Sequence, residues 1–91
     1  MQSRINVEIA LFGSFRKFDN GTPVILSLPR LANLNNIRNG LHMELVRRYP
    51  EFSQETLINE SAIADEREIL SDAYSLERDV KLAILPPVCG G

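Results

Sequence analysis

Apolar and polar residues alternate from Ile5 to Phe12. Ile5, Val7, Ile9 and Leu11 share one face, and Asn6, Glu8, Ala10 and Phe12 share the other. A period of two marks a half-buried strand. The stretch from Gly13 to Thr22 contains Asp19-Asn20-Gly21, a turn signal, and reads as a long connection to a second apolar run, Val24 to Leu28. Pro29 limits that run because it has no N–H for a ladder hydrogen bond. The period then changes. Leu34, Ile37, Leu41, Leu45 and Val46 follow helical spacing, with Asn33 as the N-cap. Arg47 and Arg48 complement the dipole in the last turn, and Pro50 stops the helix. Gly40 is a misfit inside it, costing about 1 kcal/mol relative to Ala. Such a glycine points to a weak helix or to close contact with a sheet.

Beyond a polar link from Ser53 to Glu60, Ala62 to Glu66 reads as a short strand. Ile69 and Leu70 begin another short piece, and Leu76 to Asp79 reads as a turn. The final strand is clear. Val80, Leu82 and Ile84 point one way, Lys81, Ala83 and Leu85 the other, and Pro86-Pro87 ends it. A hairpin, a helix and later strands predict an α+β domain with one main helix across one face of a mixed sheet. The reverse face then carries Ala10, Phe12, Ala83 and Leu85. With no second helix predicted to cover it, it is a candidate partner surface.

Size and charge narrow the function. A chain of 91 residues is one small domain with little room for a large internal active site. Residues 1–85 read as the domain and 86–91 as an extended tail. A net charge of −2 with interspersed signs gives no basic footprint for nucleic acid. No apolar run approaches the roughly 18 residues of a membrane span, and Met1 to Val7 has no signal-peptide core. The expectation is a cytoplasmic protein. Cys89 is the single cysteine, so no internal disulfide forms. One His and one Cys build no common zinc site, and His42 reads as a helix-surface residue. Glu66, Glu68, Glu77 and Asp79, like Arg67 and Arg78, read as solvated surface, although any of these charges could steer a partner.

The most informative segment is Leu85-Pro86-Pro87-Val88-Cys89-Gly90-Gly91. Prolines favour an extended backbone, and glycines let a partner's backbone approach closely. The reactive group at the tip is then the Gly91 carboxylate. It becomes an acyl donor only when its oxygen becomes a good leaving group, as in an acyl-adenylate. Sulfur attack there gives a thiocarboxylate. Cys89 beside this group is a candidate redox site, by persulfide capture or a mixed disulfide, or simply a small side chain.

These residues resemble a known family. Val80 to Gly91, with its apolar strand, Pro-Pro pair, small residue and Gly-Gly, is similar to the end of MoaD, the small subunit of molybdopterin synthase. Leu76-Glu77-Arg78-Asp79-Val80 resembles the turn before that strand, with Arg78 where the family often has Gly. The layout covers most of the chain, and the specific matches lie in Leu76 to Gly91. The resemblance implies a β-grasp, ubiquitin-like fold and a sulfur carrier, not an enzyme alone but a subunit of a heteromeric sulfurtransferase. It implies an E1-like enzyme of the MoeB class that uses ATP to adenylate Gly91, a sulfur donor protein, and a large MoaE-class subunit that receives the tail. No cofactor is bound by the carrier itself. Gly90 and Gly91 match the functional tail. Phe12, Ala83 and Leu85 are inferred as the docking face, with Pro86, Pro87 and Val88 contacting the partner. The alternatives are a carrier for thiamine, tRNA thiolation, cysteine or a specialised metabolite, or a ubiquitin-like protein modifier.

Overall fold

A computed structural model describes residues 4–87. Strand β1 spans Arg4–Leu11 and β2 spans Val24–Pro29; they pair antiparallel from Arg4 opposite Pro29 to Ile9 opposite Val24. Strand β4, Val80–Leu85, lies parallel to β1, with Val7 opposite Val80 and Leu11 opposite Ile84. Strand β3, Ala62–Ala64, pairs antiparallel with β4. The sheet order is β2-β1-β4-β3. The two central strands thus leave the sheet side by side at the same end.

Helix α1, Leu34–Arg48, crosses one face. Its start is closed by a capping box: the Asn33 side chain accepts from Asn36 N and the Asn36 side chain accepts from Asn33 N. Its stripe of Leu34, Ile37, Leu41 and Leu45 is buried against Val7, Ile9, Leu26, Leu82 and Ile84. Gly40 is explained by this packing. A Cβ there would stand 3.1 Å from Leu26 Cδ1 and 3.5 Å from Leu28 Cδ2, so the missing side chain lets the helix settle onto β2.

Three segments differ from the expectation. The connection after β1 holds a 3-10 helix, Gly13–Phe18, whose Phe15 is fully buried. The polar link contains helix α2, Glu55–Glu60, which buries Ile58 and packs beside α1. A second helix therefore exists, but on the side of the sheet already covered. Leu76, predicted as part of a turn, is a core residue, and its backbone exchanges hydrogen bonds with Leu31 N and Ala32 O. His42 is half-buried rather than on the surface: its ring lies 5.8 Å from that of Phe52, and its Nδ1 is buried with no partner among the described residues.

Candidate functional site

The face of the sheet away from α1 is built by the odd-even alternation of four strands. Ala10 of β1 stands opposite Ala83 of β4, and Ala83 opposite Ala64 of β3. A bridge from Ala64 to Ile69 continues the row. Leu85 pairs with Ala62 in the next row, and Phe12 follows the end of β1. Phe12 is 47% exposed, Ile69 64% and Ile25 54%. Ala10 is exposed, and Ala83 and Leu85 are half-buried. The predicted residues Phe12, Ala83 and Leu85 thus lie on one face, together with Ile25, Ala62, Ala64 and Ile69, which the sequence reading did not include. The signal for Ile25 was present: Val24, Leu26 and Leu28 alternate with it. Ile69 carried no signal, because only the fold brings it beside Ala64.

Away from the tail the same face becomes polar. A shallow groove of about 640 Å³ is lined by Glu8, Lys81, Arg67, Arg78, Asp65 and Asp79 among others. Both signs of charge line it, so it does not select a strongly charged ligand of either sign. Asp79 has a structural task there, since its Oδ1 accepts from Asn6 N at 2.9 Å and ties the start of β4 to β1. Asp65 accepts from the N–H groups of Arg67 and Glu68, and these bonds hold its carboxyl below the ordinary range. The remaining acids, Glu66, Glu68 and Glu77, are exposed. Among the described residues no three His, Cys, Asp or Glu side chains gather as a metal site, and no helix is long and apolar enough to cross a membrane.

Pro86 and Pro87 continue from β4 outside any strand, with Pro86 half-buried and Pro87 exposed. Gly13 lies against Pro86. Its φ is +57°, and a Cβ placed on it would stand 2.6 Å from Pro86 Cγ and 3.2 Å from Cδ. The sequence reading did not single out Gly13; a lone glycine opening a turn-rich segment carries no mark of a contact so distant in sequence. Val88, Cys89, Gly90 and Gly91, the predicted chemical end of the molecule, lie outside the described residues.

No protein-family model matches this chain, and no curated protein matches it. Solved structures do. SAMP1 from Haloferax volcanii aligns over 94% of this chain and 99% of its own, with a TM-score of 0.65 and 17% identity. The Caldiarchaeum subterraneum ubiquitin aligns over 98% of this chain and 100% of its own, with a TM-score of 0.61 and 14% identity. A Pyrococcus furiosus protein assigned as molybdopterin converting factor subunit 1 aligns over 92% of this chain and 99% of its own, with a TM-score of 0.62 and 18% identity. At such identities the likeness is one of fold: this chain has the ubiquitin-like β-grasp fold, an α+β domain with a helix packed on a mixed four-stranded sheet.

Proposed function

We propose that this protein is a sulfur carrier that holds sulfur as a thiocarboxylate on Gly91, and that it serves as the small subunit of a molybdopterin synthase. The observation that carries the reading is the sequence Pro86-Pro87-Val88-Cys89-Gly90-Gly91 directly following central strand β4, whose Ala83 and Leu85 belong to the open apolar face. Similar folds in a molybdopterin converting factor subunit and in SAMP1 support it. An E1-like enzyme transfers AMP from ATP to the Gly91 carboxylate and releases pyrophosphate. A sulfur nucleophile then attacks the acyl carbon and AMP leaves. Hydrosulfide gives the thiocarboxylate at once; a donor persulfide gives an acyl disulfide that a second thiol cleaves. The chain itself needs no cofactor, since ATP is consumed on the activating enzyme. The large subunit receives the loaded tail, and Phe12, Ala83 and Leu85 form the docking face with Pro86, Pro87 and Val88. All of this chemistry belongs to a cytoplasmic setting.

A second reading, a protein modifier, draws on the similarity to an archaeal ubiquitin. In that case the activated Gly91 acylates a lysine amine. The two readings part in one experiment: incubation with ATP, an E1-like enzyme and a sulfur donor, followed by fragmentation mass spectrometry. Oxidation of Met43 or Cys89 adds nearly the same mass as exchange of oxygen for sulfur, so the change has to be placed by fragments. Sulfur on the Gly91 carboxyl is the expected result. An isopeptide to lysine without any thiocarboxylate supports the modifier, and no change with several competent activating enzymes overturns both.

A further inference from the structure

The chain beyond β4 starts from a fixed floor. The parallel pairing of β1 with β4 ends at Leu11 and Ile84. One residue later come Phe12 and Leu85, and after them Gly13 and Pro86. Gly13 opens the 3-10 helix, which is closed by Phe15 N donating to Phe12 O at 3.0 Å and anchored by the fully buried Phe15 ring. Its left-handed φ of +57° favours glycine, and its bare Cα admits the Pro86 ring at a distance that no Cβ tolerates. The ring atoms it meets are not the free end of a flexible side chain. They belong to a ring closed on the backbone nitrogen through Cδ, so beyond the small travel of a change in pucker a shift of the ring is a shift of the chain.

We propose that Gly13 is a positioning residue for the tail: its missing side chain seats Pro86 and thereby sets the direction in which the reactive end leaves the domain. Proline holds φ near −65°, so the orientation of Pro86 passes into Pro87 with little slack. Four further residues reach at most about 14 Å, so the direction taken at the root bounds where the far end can lie. A misplacement of about 1 Å at a reacting group is enough to cost a hundredfold in rate. The significance for activation rests on the carrier reading above, whereas the seat itself does not.

The test separates the two. Asn tolerates a left-handed φ, so Gly13→Asn keeps the backbone conformation and adds only the side chain that meets Pro86. Cys89, the single cysteine, takes a nitroxide label, and line broadening of amides in residues 4–85 reports where the tail spends its time. The expected result is that Gly13→Asn and Pro86→Ala each alter the broadening pattern, while the double variant alters it no further than either alone. The wild-type pattern in Gly13→Asn, or additive changes in the double variant, overturns the proposal. With unlabelled chains and an E1-like enzyme that activates the wild type, Gly13→Asn is expected to lower kcat about tenfold or more with KM changed far less, because Phe12, Ala83 and Leu85 stay in place. If no such enzyme activates the wild-type chain, the carrier reading fails, while the broadening experiment still decides the seat.

Discussion

The Arg48 side chain is 6% exposed, and its guanidinium reaches four groups. It donates to Glu44 Oε2 at 2.8 Å, to Asn20 Oδ1 at 3.2 Å, and to the carbonyls of Thr22 and Pro23 at 2.9 and 2.8 Å. One side chain therefore closes the end of α1 onto the loop that enters β2. The planar fork of five donors suits this task, which a lysine does not reproduce. Arg48→Ala is expected to lower stability by roughly 2 kcal/mol, since the loop carbonyls and Glu44 lose charge-assisted bonds. Arg48→Lys is expected to recover only part of it. Glu44 makes the pair sensitive to pH. Hydrogen bonds from Arg47 and then Arg48, opposed by burial, hold its carboxyl at about 2 against an ordinary value of 4.5. A depressed carboxylate contributes stability that is present above its unfolded value and lost as pH falls through the folded one. Denaturant midpoints should thus fall between about pH 4.5 and pH 2 in the wild type, and Glu44→Gln should flatten that part of the profile. A profile unchanged in Glu44→Gln assigns the acid sensitivity to other carboxylates.

Among the elements, the 3-10 helix Gly13–Phe18 matters beyond its length. Phe15 fills the core from it, and Phe18 stacks edge-on against Phe52 at 4.9 Å. Phe15→Ala is expected to cost about 3–5 kcal/mol, as for other buried phenylalanines. Urea unfolding should show a lower midpoint with an unchanged slope; a loss below about 1 kcal/mol would place this element outside the cooperative core. The sequence displayed strong periodicity where elements are long: β1, α1 with its Asn33 cap, and β4 were all legible. It did not display the 3-10 helix or α2, because six residues complete at most two turns and each offers two apolar positions, too few to set a period. The Asp19-Asn20-Gly21 signal was legible and correct, with Asp19 Oδ1 accepting from Gly21 N, but it described the end of that connection only. Ile63, Leu70 and Leu76 are buried through tertiary contacts from weakly patterned segments. At the candidate site the alternation of β1 and β4 located Phe12, Ala83 and Leu85. The seat of Pro86 on Gly13 was invisible because it joins the two ends of the chain.

At the scale of the whole molecule, the sheet has one face closed by α1 and α2 and one face open. The open face is apolar nearest the tail and of mixed charge farther away. Under the proposed carrier function, an apolar contact beside the root of the tail would bring an enzyme's active site to the tail's end, while charges of both signs at the far side would fix the register. Phe12 is the best probe of this arrangement. Its 47% exposure means that its replacement disturbs little of the core, whereas half-buried Leu85 would confound docking with stability. Phe12→Asp is expected to leave the melting temperature nearly unchanged and to weaken binding to the activating enzyme about tenfold or more, the effect of a large apolar anchor lost from an interface. Met43, 70% exposed on α1, supplies the control from the opposite side. Met43→Asp is expected to leave affinity unchanged. If titration calorimetry finds both variants equally weakened, or Phe12→Asp indistinguishable from wild type, the partner does not dock on the open face.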